Sequence, residues 1–153
     1  MNIISHRGYW KAEEEKNKQI SFDRSFKLGF GTETDIRDYK GELVISHDIP
    51  NKDCMSIDDF FKIYNAHLNL DLILALNIKS DGLQLKLKEK LIEFGIEKYF
   101  VFDMSIPDTL GYLKNNLTTF SRHSEYEPIP AFFNECQGIW LDAFGACWYD
   151  AQL

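Results

Sequence analysis

The sequence lacks the material for a disulfide framework or a thiolate metal site. Its three cysteines, Cys54, Cys136 and Cys147, are odd in number, widely spread and in no paired ligand spacing, which leaves buried or incidental thiols as the reading. No apolar run approaches the roughly 20 residues needed to span a bilayer. No positively charged leader precedes an apolar stretch; the chain opens directly on Asn2-Ile3-Ile4-Ser5, and a cytoplasmic protein is expected. Basic excess is missing too. Against 24 acidic residues stand 17 Lys and Arg, a formal charge of −7, which argues against a nucleic-acid backbone as main partner, because counterion release needs basic patches. A phosphate substrate is not excluded, since a bound divalent ion reverses the local field. With no low-complexity tract or linker in 153 residues, one domain is expected.

What is present is an alternation of short apolar runs with amphipathic stretches. Strands are predicted at Asn2–Ser5, Gly31–Arg37, Leu72–Lys79, Tyr99–Asp103, Thr119–Arg122 and Gly138–Asp142, with an extra piece at Glu42–Ser46 behind the turn chemistry of Asp38-Tyr39-Lys40-Gly41. Helical faces fall on Ile20–Leu28, on Ser56–Tyr64 with Ser56 as N-cap, and on Leu83–Phe94, where Leu83, Leu87, Leu91 and Phe94 keep helical spacing. Pro107 and Pro128 stand where they could start the helices after the fourth and fifth strands. The pattern implies a parallel α/β architecture of about six strand–helix units, with a sixth helix just starting at Cys147–Leu153. A closed eight-unit barrel needs about 200 residues or more, so a truncated barrel is favoured over an open variant. Its first strand would lack a closing neighbour and expose an apolar edge.

Three segments carry groups suited to chemistry. His6-Arg7-Gly8 ends the first strand, on the face where barrels place active sites; the arginine offers a planar fork for a phosphate and the glycine permits close backbone approach. The alternative is a solvent-facing strand end. Glu33 and Asp35, two apart on the second strand, point the same way. Facing inward they would repel unless a cation lay between them, a hard ion such as Mg²⁺ or Ca²⁺; on an edge strand both would simply face water. His47-Asp48 ends the Glu42–Ser46 piece, and His47 could stand across a pocket from His6 as the second member of an acid/base pair. Phe100, Phe102 and Phe120 read as core, Trp140 beside Asp142 as a pocket wall for a sugar or glycerol, and His67 as exposed.

In order and spacing, His6-Arg7-Gly8, Glu33-x-Asp35-x-Arg37, Gly41 and His47-Asp48 closely resemble the signature of the glycerophosphodiester phosphodiesterase family, within the phosphatidylinositol phospholipase C-like phosphodiesterases. Asn17 matches the asparagine of a further motif before the first helix, and from Leu72 onward the likeness is looser. The resemblance implies a TIM barrel, one domain over residues 1–153 with its C-terminal part missing, and a divalent metal, Mg²⁺ or Ca²⁺, at the strand ends. It implies Glu33 and Asp35 as metal ligands, His6 and His47 as general acid and base, and Arg7 and Lys79 as phosphate binders. The family reaction cleaves a small phosphodiester to an alcohol and a phosphomonoester, often through attack by the substrate's own neighbouring hydroxyl followed by hydrolysis.

Three departures qualify this. The third metal-binding glutamate of the family, two residues before the third-strand lysine, is here Asn77, whose carbonyl could still coordinate a hard ion but with one charge fewer. Asp103, Glu125 or Asp142 could compensate, or be ordinary pocket and surface acids. After His47-Asp48 the chain runs through Ile49–Asp53 straight into a helix, without the insertion that covers the glycerol side in many members. The last quarter of the barrel is absent. The leading expectation is therefore a metal-dependent phosphodiester hydrolase. A catalytically weakened homologue that binds a phosphorylated ligand or partner protein is the alternative, and a phospholipase C or sphingomyelinase D relative the third.

Overall fold

The structure, a computed structural model, describes residues 2–67 and 71–150. Its strands are β1 (Ile4–His6), β2 (Gly31–Tyr39), β3 (Glu42–Ile45), β4 (Met55–Ser56), β5 (Leu74–Ile78), β6 (Tyr99–Phe102), β7 (Phe120–His123) and β8 (Gly138–Leu141). Its α-helices are α1 (Gln19–Lys27), α2 (Ile57–Asn65), α3 (Gln84–Glu93) and α4 (Ile106–Lys114), with a helical turn at Glu13–Glu15.

β2 organises the sheet. Its first half pairs in parallel with β1 on one side and β5 on the other, His6 lying opposite Glu33 and Asp35 opposite Asn77. Its second half outlasts β1, and there the antiparallel β3 takes over the vacated edge, followed by β4. β6 continues beyond β5 in parallel. β7 and β8 form their own parallel pair, joined to β6 through a single bridge, Val101 to Thr119. Parallel staves thus follow in the order β1, β2, β5, β6, β7, β8, as in a TIM barrel. Among the described residues the sheet is not closed: β1 pairs only with β2, and β8 only with β7.

Two apolar layers follow from strand alternation. Between sheet and helices lies the larger, with Phe22, Phe26, Phe60, Leu74 and Leu76 all fully buried. On the inner face Ala75, Phe100 and Phe102 are buried, and Ile4, Ile73, Phe120 and Trp140 pack against them half-covered. Phe100 stacks on Phe120 at 4.0 Å and Phe102 on Trp140 at 4.2 Å between ring centroids.

Most predicted elements appear within two residues of their expected bounds. Ser56 caps α2, its hydroxyl accepting the Asp59 N–H at 3.1 Å, and Pro107 lies in the first turn of α4. Three expectations are corrected. No helix follows β7: Pro128 lies in an irregular connection that leads straight to β8, since Pro130 removes another N–H and pushes Ile129 away from helical angles. Cys147–Asp150 are not helical either, while residues 151–153 lie outside the described residues. His67, expected in solvent, has a side chain only 16% exposed, 3.6 Å from Asp23.

Gly31 opens β2 where a Cβ would fall 2.2 Å from the Ile73 carbonyl oxygen. Gly31→Ala should therefore force β5 away from β2 and destabilise the chain by at least about 1–3 kcal/mol. Urea denaturation followed by circular dichroism checks this, and an unchanged midpoint would refute it.

Candidate active site

The site lies at the C-terminal ends of β1, β2 and β5, and the β1–α1 connection bends over it. Arg7 adopts φ 57° and Asn17 φ 56°, left-handed values that cost free energy in non-glycine residues and persist only when surroundings enforce them. The enforcing contacts are visible. The Arg7 N–H donates to the Glu33 carbonyl at 3.0 Å and faces Glu33 Oε2 at 3.2 Å. The Asn17 N–H closes the loop by donating to the Arg7 carbonyl at 3.0 Å. Gly8, at φ 81°, could carry no side chain, because a Cβ would meet Ser21 Oγ at 2.4 Å.

This bend delivers the two side chains that Asp35 requires. Asp35 is fully buried. Arg7 Nε lies 3.0 Å from its Oδ2, an ion pair without hydrogen-bond alignment, and Asn17 Nδ2 donates to the same oxygen at 2.8 Å. Thr34 fixes the Asn17 amide by donating to its Oδ1 at 2.9 Å. Lys79 Nζ stands 3.9 Å from Asp35 Oδ1.

Glu33 is compensated differently. Asn77 Nδ2 donates to its Oε1 at 3.2 Å, and His6 Nε2 lies 3.8 Å from its Oε2. Burial first, and the neighbouring Asp35 charge second, push the Glu33 carboxyl up to about 7, against the Asn77 amide and Arg7. His6 moves the other way: burial and the Arg7 cation lower its pKa, which keeps the imidazole neutral near pH 7.

His47 follows β3, its Nδ1 2.9 Å from Asp48 Oδ1 and its carbonyl accepting Arg37 Nε at 3.1 Å. It lines an open cavity of about 410 Å³ together with Arg7, Lys16, Asn17, Asp48 and Cys54, and its charge is among those that depress the pKa of His6. Trp140 is not in that lining; stacked on Phe102, it belongs to the inner apolar layer.

Among the described residues no three His, Cys, Asp or Glu side chains gather as a metal cluster. A mixed donor set does fit a hard ion. Asp35 Oδ1 and Asn77 Oδ1 sit on register partners of adjacent strands, and each is buried without a hydrogen-bond partner. With Glu33 beside them, two carboxylates and one amide oxygen would hold the ion, the oxygen chemistry that Mg²⁺ and Ca²⁺ take. Of the later acids, Asp103 binds Lys79 at 2.9 Å and also pairs with Arg122, Glu125 accepts the backbone N–H of Phe144 and Gly145 through Oε1, and Asp142 accepts that of Ala143. Arg122 joins this rim through Asp103. It lies near the end of the fifth parallel strand.

Fold and site together define an open, mostly parallel α/β sheet of the TIM-barrel kind, with a polar site of paired carboxylates, histidine and cations at its strand ends. Among solved structures, one relative is a glycerophosphodiester phosphodiesterase from Parabacteroides distasonis ATCC 8503, at 16% identity and a TM-score of 0.73 over 92% of this chain and 72% of that one. Another is a glycerophosphodiester phosphodiesterase from Agrobacterium tumefaciens str. C58, at 18% identity and a TM-score of 0.59 over 80% and 67% of the two chains. At these identities the likeness establishes a shared fold. No protein-family model matches the sequence, and no curated protein gives a significant match.

The Glu33 shift carries a pH prediction. Its folded pKa, about 7, exceeds its ordinary 4.5, so between these values the folded state holds the extra proton. The stabilisation is complete below about pH 4.5 and lost as pH rises through about 7. Glu33→Gln should flatten that slope and be more stable than the wild type at pH 8 by on the order of 1–3 kcal/mol. Urea midpoints from pH 5 to 8 measure it, and parallel curves for the two proteins would refute it.

Proposed function

We propose that this chain is a metal-dependent phosphodiester hydrolase acting on a small glycerophosphodiester-like molecule. The observation that carries the reading is the convergence of His6, Arg7, Glu33, Asp35, Asn77 and Lys79 at adjacent strand ends, with His47 at the mouth of the cavity that Arg7 also lines. Strand-end polar clusters of this kind are where barrel enzymes do chemistry. The shared fold with two phosphodiesterases supports the substrate class.

Arg7 and Lys79 bind the phosphoryl oxygens, the first as a fork and the second as a point charge. Glu33, Asp35 and Asn77 would hold Mg²⁺ or Ca²⁺, which when bound supplies positive charge to the phosphoryl oxygens and acidifies the attacking hydroxyl. His6, held neutral, accepts the proton of that hydroxyl. His47, its ring oriented by Asp48, donates a proton to the departing alcohol oxygen, and water then opens the resulting cyclic phosphate to the phosphomonoester. The 410 Å³ cavity, within the size range of small-ligand pockets, receives the alcohol part of the substrate. No helix among the described residues is long and apolar enough to cross a membrane.

A second reading has its own observation: Asn77 stands where a third carboxylate would add charge for the ion, and its Nδ2 is spent on Glu33. On that reading the chain binds a phosphorylated ligand without turning it over. Phosphorus NMR on a panel of glycerophosphodiesters, with Mg²⁺, Ca²⁺ or chelator, separates the two. A phosphomonoester signal abolished by chelator supports the hydrolase. Folded protein that binds phosphorylated compounds yet stays silent supports the binder.

His6→Ala and His47→Ala should each lower turnover by at least about a hundredfold; near-normal activity in either removes that residue from the mechanism. Asn77→Glu should tighten Mg²⁺ or Ca²⁺ binding by calorimetry, and unchanged affinity would place the ion elsewhere.

A further inference from the structure

Arg7 and Lys79 do not exhaust the cations of the rim. Arg122, near the end of β7, lies two strands beyond Lys79, and one carboxylate connects them. Asp103 Oδ2 takes Lys79 Nζ at 2.9 Å, while Asp103 Oδ1 takes Arg122 Nη1. Arg122 Nε is fixed by Glu127, and the guanidinium lies 5.3 Å from the centroid of the Phe144 ring. Two of the three guanidinium nitrogens are thereby committed to carboxylates, and Nη2 takes part in none of these bonds. The side chain is still 28% exposed, against 19% for Lys79, so both cations can be reached from the rim.

Asp103 has the left-handed φ of 71°. As at Arg7 and Asn17, that conformation is held by contacts across the strand ends, here by cations on both carboxylate oxygens. A carboxylate shared in this way keeps an ammonium and a guanidinium at fixed spacing and offsets their mutual repulsion. What results is a pair of positive groups with unused N–H donors, next to the carboxylate Asp35 that Lys79 also approaches.

We propose that Arg122 is a further substrate-binding residue, taking a phosphoryl oxygen of the diester together with Lys79, and that Asp103 is the positioning residue that spaces the two cations. The assignment rests on the phosphodiester reading for the identity of the anion. A purely structural role is the competing explanation, because β6 and β7 share just one bridge and the Asp103–Arg122 pair also ties their ends together.

Inorganic phosphate tests the assignment without requiring turnover. The full chain and its Arg122→Gln, Arg122→Lys and Asp103→Asn variants would be titrated with phosphate by phosphorus NMR, with folding checked by circular dichroism and urea midpoints. Arg122→Gln should weaken phosphate binding at least about tenfold, and Arg122→Lys, which keeps the charge and loses the fork, should fall between it and wild type. Asp103→Asn should weaken binding although it removes no cation. With diester substrate, all three should raise KM more than they lower kcat. Wild-type phosphate affinity in folded Arg122→Gln overturns the assignment, as does a wild type that binds no phosphate. So does unfolding of all three variants, which would make the pair a structural seam. Diester turnover with phosphate binding blind to Arg122 sinks this assignment and leaves the hydrolase standing. Arg122-dependent phosphate binding with no diester turnover does the reverse.

Discussion

Two carboxylates on one face of a buried strand, Glu33 and Asp35, set the requirements that the rest of the site meets. Both are almost wholly withdrawn from water. Buried like charges at this spacing need protons, cations or strong donors to be tolerable. The chain answers differently at each. Glu33 gains the Asn77 amide and the Arg7 N–H, and still has its proton affinity raised into the neutral range. Asp35 gains Arg7, Asn17 and, at longer range, Lys79. Bringing Arg7 and Asn17 over the strand end requires the left-handed turns at both residues, so the strained loop is a consequence of the buried charges.

The same demand spreads along the rim. Lys79, drawn between Asp35 and Asp103, links β2 to β5 and β6, and Arg122 extends the line to β7. Polar groups therefore join strand ends at the very place where backbone pairing between β6 and β7 thins to one bridge. Beneath them the apolar layer of Phe100, Phe102, Phe120 and Trp140 performs the corresponding task with stacked rings. A strand end held by charges and a strand middle held by rings is one continuous inner face, and the site is its polar upper margin. Because the sheet is open among the described residues, that face is covered unevenly, and two of its rings, Phe120 and Trp140, are only half-buried.

Much of this was legible from residue order. The leucines of α3 keep helical spacing, and Ser56 precedes α2 as an oxygen-bearing cap; both are local features decided by nearest neighbours along the chain. That Glu33 and Asp35 share one side of their strand follows from strand periodicity alone; that this side is buried was decided by the sheet. Pro128 misled, because a proline suits a first helical turn only if the residues after it can propagate a helix, and Ile129-Pro130 cannot. β4, two residues long, was invisible, since its existence depends on the edge of β3 being available to pair.

The sequence by itself determined which groups stand at the strand ends, because alternation along a strand and the capping of a helix are properties of a few consecutive residues. Only the tertiary structure decided their partners. That Asp35 would be shared by Arg7 and Asn17, that Asp103 would link Lys79 and Arg122, and that Trp140 would stack on Phe102 all depend on strand order and register. These bring together residues far apart in the chain, and the choice among partners was settled by burial: a carboxylate removed from water takes whichever donors the neighbouring strand ends supply.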